Sequence, residues 1–330
     1  MGHVERKQDA LSKKGAKMKH VLKSLVALFF LIAITRLSFS APKNPSDDIK
    51  VVHGRDGRID TFHLAGTVWE ELSRSVAMQI KNSDMISNDE VSTKLLGLSL
   101  SKSLEPALCA DEQFATQIKV GSCSGFLVSD SHIVTAGHCL LSQADCDNKS
   151  WVFDYELKYA EDLDYTVVPS RNIFKCKKII SQHADSNTFT DRLDFALIQL
   201  DHSVINRRPL TVRLEGKIEN NAPLAVIGHP DGIPKKFADG AKVMENDDEV
   251  FFSTNLDTFH VNSGSPVFNF ETGVVEGILV RGALDYVFDA ASNCSRVNTI
   301  FNGCKDKSCA LEDVTRISQV EKLKEILSSY

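Results

Sequence analysis

Short runs of β-forming residues, separated by glycine, asparagine and aspartate, occupy most of the sequence from residue 114 onward. The runs lie at 124–128, 132–135, 151–155, 166–168, 178–181, 195–200, 224–228, 250–253, 265–269 and 274–281. Many short strands with frequent turns are typical of antiparallel barrels and sandwiches. The sequence therefore predicts an all-β fold.

Helical spacing is found on either side of this region. Within residues 66–82 the apolar side chains lie mostly three to four positions apart, which predicts an amphipathic helix: Val68, Trp69, Leu72, Val76 and Ile80. In the tail from Leu311 they recur every three positions, which predicts a closing helix: Val314, Ile317, Val320, Leu323 and Ile326. We therefore expect an N-terminal helical extension and a C-terminal helix.

The first 40 residues have the pattern of an export signal. Residues 21–34 form a short apolar run that is preceded by lysines and followed by small residues. This pattern predicts a secretory signal that is cleaved after Ser40. An uncleaved anchor is the alternative, but Arg36 ends the run early, before the roughly 20 residues that a spanning helix needs. We expect a secreted or periplasmic protein with no membrane attachment after cleavage.

The charge of the exported part limits its partners. Residues 1–40 contain eight Lys and Arg and two Asp and Glu, whereas residues 41–330 contain 30 basic and 42 acidic residues, a net charge of −12. Such an acidic surface is poorly suited to bind a phosphate backbone, so we expect no nucleic-acid partner.

All eight cysteines lie after residue 100, in the exported part: Cys109, Cys123, Cys139, Cys146, Cys176, Cys294, Cys304 and Cys309. An even number of cysteines in an exported chain predicts disulfides. A metal site is the alternative, but no pair has the two-residue spacing of a zinc knuckle, and we expect no metal.

Three motifs contain residues suited to acyl-transfer chemistry. The first is Thr-Ala-Gly-His-Cys at 135–139, where His138 follows a β-run and lies beside a cysteine. A general base must be held within hydrogen-bond reach of its target, and a histidine fixed on both sides meets that need. An isolated histidine is more often structural, so the interpretation of His138 as a general base depends on the two motifs that follow.

The second motif is the apolar run 195–200, which Asp194 precedes. A carboxylate at the mouth of an apolar strand needs a hydrogen-bond donor to offset its desolvation, and an imidazole is a suitable one. By itself, Asp194 would be interpreted as a turn cap.

The third motif is Val-Asn-Ser-Gly-Ser-Pro-Val-Phe at 261–268. A nucleophilic serine needs an exposed hydroxyl on a tight turn, with backbone N–H groups directed at the developing oxyanion. The small residues after Ser263 permit such a close backbone approach.

In this order the three motifs resemble those of secreted bacterial trypsin-like serine endopeptidases of the chymotrypsin fold, nearer to the glutamyl-endopeptidase-like branch. The segments 227–230 and 277–279 also suit that branch. The resemblance covers about residues 109–310. It implies two six-stranded antiparallel β-barrels, 109–208 with the His and Asp and 209–310 with the Ser and the substrate pocket. Their cleft would hold the active site.

The remaining segments complete the expected organisation. Residues 1–40 are the signal, 41–108 are a propeptide or N-terminal extension with one helix, and 311–330 are the C-terminal helix. Val51, after Lys50, resembles the start of a mature peptidase and indicates a zymogen. A plain β-run in the precursor is the alternative.

The resemblance also implies roles for individual residues. Ser263 would be the nucleophile, His138 the general base and Asp194 the residue that orients it. The N–H groups of Val261 and Ser263 would form the oxyanion hole. No cofactor is implied, the substrates would be proteins or peptides, and we expect a monomer.

Two disulfides follow from the same resemblance. Cys123–Cys139 would brace the histidine loop, and Cys146–Cys176 would join strands of the first barrel. The other four cysteines allow three pairings, which remain open: Cys109, Cys294, Cys304 and Cys309.

Two residues depart from the family pattern at the nucleophile turn. Val261 replaces a glycine, although a β-branched side chain disfavours positive φ. Asn262 replaces the aspartate that pairs with the new N-terminus of trypsin-type enzymes, so we expect no such activation salt bridge. The departure at Val261 supports an alternative, a catalytically impaired peptidase fold that serves as a binding module.

The substrate pocket is predicted from positions relative to Ser263. Asp257, six residues before it, takes the place of the pocket floor, where a carboxylate would select Lys or Arg at P1, the residue whose carbonyl is attacked. Leu279 replaces the wall histidine of glutamyl endopeptidases. Arg281, on the same wall, argues against a basic preference because it could neutralise Asp257. We predict a basic P1 preference.

Overall fold

Most of the strands in the described part of the chain belong to two antiparallel barrels. The computed structural model describes residues 52–184, 192–300 and 311–328. One sheet closes in the order Lys149–Phe153, Ile173–His183, Phe195–Leu200, His132–Thr135, Cys123–Ser129 and Val76–Lys81. A second closes in the order Pro223–Gly228, Pro266–Asn269, Val275–Arg281, Glu312–Arg316, Phe251–Thr254 and Lys236–Glu245, through a pairing of the first and the last of these strands. The predicted architecture of two six-stranded barrels is confirmed. The expected signal at 1–40 lies outside the described residues.

The strands in chain order are β1 Val52–His53, β2 Ile59–Asp60, β3 Val76–Lys81, β4 Met85–Ser87, β5 Ser92–Leu95, β6 Leu98–Ser99, β7 Ile118–Lys119, β8 Cys123–Ser129, β9 His132–Thr135, β10 Lys149–Phe153, β11 Val167–Pro169, β12 Ile173–His183, β13 Phe195–Leu200, β14 Pro223–Gly228, β15 Lys236–Glu245, β16 Phe251–Thr254, β17 Pro266–Asn269, β18 Val275–Arg281, β19 Tyr286–Asp289, β20 Cys294–Val297, β21 Thr299–Ile300 and β22 Glu312–Arg316. The α-helices are α1 Val68–Ser73, α2 Gln143–Asn148 and α3 Leu323–Ser328. Short 3-10 helices lie at Thr61–Leu64, Asn82–Asp84, Ser101–Ser103, Gly137–Cys139, Ser170–Asn172, Pro230–Gly232 and Ile317–Gln319. Within the described ranges, every helix is too short or too polar to cross a membrane.

Alternating side chains give the first barrel two buried faces. Ile133 on β9 and Ile198 on β13 belong to a cluster inside the barrel together with Trp151. Their chain neighbours Val134 and Leu197 belong to a different cluster, which includes residues of the second barrel. This two-residue period is expected of a strand that is covered on both sides.

The second barrel follows the same rule. On β14, Leu224 and Val226 belong to the cluster inside this barrel, whereas Ala225 and Ile227 join the cluster shared with the first barrel. The two barrels therefore pack through a common apolar layer. The short strand β2 pairs with β15 outside the closed ring.

The helix predicted over 66–82 is only half correct. α1 ends at Ser73, and β3 begins at Val76 and pairs with β8 and β10. Val76 and Ile80 lie four residues apart, a spacing that places side chains on one face of a strand as well as of a helix. The first barrel therefore begins at β3, not at residue 109 as expected, and residues 76–81 are part of the barrel.

The closing helix predicted from Leu311 is also shorter than expected. β22 pairs with β16 and β18 inside the second barrel, so that barrel extends beyond residue 310, and α3 covers Leu323–Ser328 alone. Val314 belongs to the core of the second barrel, whereas Ile317 and Val320 cover the shared layer. The three-residue spacing therefore comes from residues that are buried in two different clusters, and not from one face of a helix.

Three disulfides join described cysteines. The structure forms the two expected pairs, Cys123–Cys139 and Cys146–Cys176, and a third pair, Cys109–Cys294. The third connects the segment before the first barrel's β8 to β20 in the second half. Cys304 and Cys309 lie outside the described residues.

Candidate active site

The His138 turn is fixed on both sides. It follows β9, and the disulfide from Cys139 to Cys123 ties it to β8. Before it, Gly137 comes so close to β12 that a Cβ there would lie 1.8 Å from the carbonyl oxygen of His183. Only glycine permits this approach. The sulfurs beside His138 are joined in the disulfide and cannot ligate a metal.

Asp194 orients His138 through two hydrogen bonds. The backbone N–H of His138 donates to Oδ1 of Asp194 at 3.1 Å, and the ring Nδ1 donates to Oδ2 at 2.8 Å. Asp194 is buried, whereas the His138 side chain remains 40% exposed. Because a carboxylate can only accept, Nδ1 carries the proton and Nε2 keeps a free lone pair. The ring is thus prepared to act as a base.

The Ser263 turn is pressed against the first barrel. The carbonyl of Ser263 accepts a hydrogen bond from the Ser124 N–H at 2.8 Å, and the Gly264 N–H donates to the Leu279 carbonyl at 2.7 Å. Gly264 has a φ of +89°, and a Cβ there would lie 2.0 Å from the Ser124 carbonyl oxygen. Glycine at this position is therefore required by both conformation and space.

Val261 adopts the conformation that its side chain disfavours. Its φ is +70°, in the left-handed region. The Ser124 hydroxyl donates to the Val261 carbonyl at 3.2 Å, and the Val261 side chain packs against a cluster that contains Met78. Such strain persists only where the surroundings enforce it. Among the described residues, no acceptor meets the N–H of Val261 or that of Ser263.

His138 and Ser263 line one cavity of about 430 Å³. In this structure their side chains are not hydrogen-bonded to each other, although such contacts often tighten when substrate binds. The cavity is also lined by two residues predicted for the pocket, Leu279 and Arg281.

The expected pocket floor, Asp257, does not line this cavity. Its carboxylate accepts hydrogen bonds from the backbone N–H groups of His53 and Gly57, both at 2.9 Å. Burial raises the pKa of Asp257 to about 6, although these two hydrogen bonds act in the opposite direction. The assignment of Asp257 to the pocket is corrected because the N-terminal segment covers this carboxylate.

Arg281 does not neutralise Asp257 either. Its Nε donates to Asp313 at 3.3 Å, and its Nη2 donates to the backbone carbonyl of Arg192 at 2.9 Å. Asn262, also singled out by the sequence, is buried, and its side-chain oxygen accepts from the Ser265 hydroxyl at 3.4 Å.

Four further polar residues line the cavity that were not among the predicted site residues. They are Thr258, His260, Asp285 and Glu312. His260 Nδ1 and its backbone N–H donate to Asp285 at 2.6 and 2.9 Å, and this hydrogen bond raises the pKa of His260. Glu312 reaches the cavity because β22 pairs with β18. The sequence analysis predicted a helix in this segment, so it did not place Glu312 beside the site.

A larger cavity of about 580 Å³ opens elsewhere, on the first barrel. Its lining includes Arg207, which is paired with Asp154, but neither His138 nor Ser263. The chemistry-bearing residues therefore belong to the smaller cavity.

A match to one family model agrees with this arrangement. Residues 123–278 match the trypsin-like peptidase domain. Among solved structures, a Glu endopeptidase in complex with MPD aligns with a TM-score of 0.48 and 15% identity, over 84% of this chain and 98% of that one. No curated protein sequence matches significantly.

Proposed function

We propose that the chain, of which residues 123–278 match the trypsin-like peptidase domain, is a secreted or periplasmic serine endopeptidase that hydrolyses peptide bonds through Ser263, His138 and Asp194. The observation that carries this proposal is the buried Asp194, which holds both the backbone and the ring of His138 in the cavity that Ser263 lines. A base oriented in this way beside a serine on a tight turn is suited to acyl transfer.

The first half-reaction forms an acyl-enzyme. The Ser263 Oγ attacks the substrate carbonyl carbon while His138 Nε2 accepts the hydroxyl proton. The negative charge that develops on the carbonyl oxygen is received by the N–H groups of Val261 and Ser263, which have no acceptor among the described residues. The C–N bond then breaks as His138 returns the proton to the leaving amine.

The second half-reaction repeats these steps with water. His138 removes a proton from the water that attacks the ester, and Ser263 leaves with that proton. Asp194 stabilises the imidazolium in both halves. The reaction needs no cofactor, and its substrates are proteins or peptides.

Export is supported by two features. Residues 1–40 have the pattern of a secretory signal. The described part of the chain contains three disulfides, which form and persist in oxidising compartments.

A fluorophosphonate probe, which labels activated serines, tests the proposal. We expect the protein to be labelled and the Ser263→Ala variant not to be. Ser265→Ala is the matched control, since that serine lies two residues away and is fully buried. Full labelling of Ser263→Ala would refute the assignment.

One observation favours a second function, a binding module with impaired catalysis. Val261 holds a strained φ of +70° where the resembled family has glycine. Active-site titration separates the two functions, because a binding module would bind peptides without releasing a burst of product.

A further inference from the structure

Glu312 is one of the residues that line the cavity of Ser263. It is the first residue of β22, which pairs with β18 on one side and β16 on the other. Its side chain is buried, with 1% exposure. The remaining lining includes Leu279 and Val280, which offer apolar surface beside the acid.

The contacts of Glu312 are few and carry no positive charge. The Thr258 hydroxyl donates to Oε2, and the Ala283 N–H donates to Oε1 at 3.4 Å. The backbone passes close to this carboxyl group at Gly282, where a Cβ would lie 2.2 Å from Oε2. Among the residues that the structure describes, no lysine, arginine or histidine is paired with Glu312.

The charged neighbours leave this acid uncompensated. Asp285 and Asp313 are like charges, and Asp285 is itself bound to His260. Arg281 lines the same cavity but donates to Asp313 and to a backbone carbonyl. A buried carboxyl group without a cation is costly to ionise, and a cationic ligand would remove that cost.

We propose that Glu312 selects the P1 side chain and that the cavity takes the side chain of lysine or arginine. This inference rests on the proposed function, because it concerns the substrate of the same site. A cavity of about 430 Å³ can hold one long side chain, with its aliphatic stem on Leu279 and Val280 and its charge on Glu312. A glutamate at P1 would instead offer no positive charge to pair with Glu312, and a second ionised carboxylate beside it would be costly.

Proton linkage supports the same conclusion. Burial, together with the charges of Asp285 and Asp313, raises the pKa of Glu312 to about 8, despite the hydrogen bonds from Thr258 and Ala283. A carboxyl group with this pKa is mostly protonated at pH 7 when no cation is paired with it. When a cationic side chain binds, the carboxyl group ionises and its proton passes to solvent.

Peptide substrates that differ only at P1 test the proposal directly. With arginine, lysine, leucine, glutamine and glutamate compared, we expect arginine and lysine to give the highest kcat/KM. Glu312→Gln should lower kcat/KM for both by about 100-fold or more, as expected when a buried charge partner is removed. Asp257→Asn, the matched control, should keep the basic preference because Asp257 lies outside the cavity.

A binding experiment separates this inference from the proposed function. We expect p-aminobenzamidine, a fluorescent cation, to bind the Ser263→Ala variant and not the Ser263→Ala/Glu312→Gln variant. Absence of binding to Ser263→Ala would overturn the inference, whatever Ser263 does. The inference would also be overturned by a basic P1 preference in a Glu312→Gln variant whose reaction with the fluorophosphonate, measured on a separate sample, shows an intact site. If Glu312→Gln does not fold, a preference of the unmodified protein for leucine or glutamate decides against the inference. Failure of the unmodified protein to react with the fluorophosphonate, with p-aminobenzamidine still bound, would instead refute the serine endopeptidase.

Discussion

Two histidines line the cavity that contains Ser263, and each is hydrogen-bonded to an aspartate through the same two groups. Asp194 accepts from the backbone N–H and Nδ1 of His138, and Asp285 accepts from the same two groups of His260. Both aspartates are buried, with exposures of 3% and 5%. A hydrogen-bonded His–Asp pair is therefore not sufficient to identify a catalytic base.

The supports of the two pairs differ. His138 reaches the cavity from the first barrel, on a turn braced by a disulfide, whereas His260 belongs to the turn that carries Ser263. The ring of His260 is 76% exposed, compared with 40% for His138. A base must be held in a fixed orientation, and the less exposed, disulfide-braced ring meets that need better, so we propose that His138 is the base.

The largest expected difference is between the two histidine variants. His138→Ala should lower kcat by on the order of 10⁶-fold, since removal of the base alone nearly abolishes triad catalysis. His260→Ala should lower it by less than about tenfold, because that ring has no role in proton transfer. Steady-state hydrolysis of one peptide substrate measures both. The reverse order would assign the base to His260.

Substitution of the two aspartates should likewise affect kcat unequally, with the larger loss at Asp194. Asp194→Asn should lower kcat by about 10⁴-fold, because the amide no longer enforces the Nδ1–H tautomer of His138. Asp285→Asn should leave kcat within about tenfold of the unmodified protein. Folding of both variants can be compared by circular dichroism. Equal losses in two folded variants would remove the distinction between the pairs.

Asp285 has a second neighbour that Asp194 lacks, namely Glu312. With its pKa near 8, Glu312 should bind p-aminobenzamidine more weakly as the pH falls below 8, by about tenfold per pH unit. Asp285→Asn removes a like charge and should shift this dependence to lower pH, whereas Asp194→Asn should not. Fluorescence titrations from pH 6 to 9 report the shift. Glu312→Gln is the control for the other groups that line or adjoin the cavity, namely His138, His260, Arg281 and Asp313. A pH-independent affinity would contradict the role of Glu312.

The smallest expected effect is on His260 itself. Its hydrogen bond to Asp285 raises its pKa, so the folded protein holds the proton more tightly than the unfolded chain. This stabilisation is fully present below the unfolded pKa, about 6.5, and is lost as the pH rises through the folded pKa. In Asp285→Asn, the NMR titration of the His260 ring should move to lower pH. An unchanged midpoint would show that the pair does not form in solution.

The sequence predicted the elements that depend on local pattern. Alternating apolar residues around Ile133 and Ile198 predicted strands, and the motifs around His138 and Ser263 predicted residues that the structure brings to one cavity. These features are readable because each motif contains its own turn chemistry, such as Gly137 and Gly264 at positions where a Cβ would clash.

The sequence failed where burial depends on distant partners. The four-residue spacing of Val76 and Ile80 fits a helix and a strand equally well, so the spacing alone predicted the wrong element. Asp257 was assigned to the pocket because nothing in its own motif shows that residues 53–57 cover it. Glu312 was missed because its place in the cavity follows from the pairing of β22 with β16 and β18.

The most direct measurement is the mass of the protein quenched in acid while it hydrolyses a slowly deacylating ester. We expect a covalent acyl adduct that peptide mapping places on Ser263 and that is absent from His138→Ala. Hydrolysis without an adduct on Ser263, or an adduct that forms equally in His138→Ala, would contradict acyl transfer by this pair.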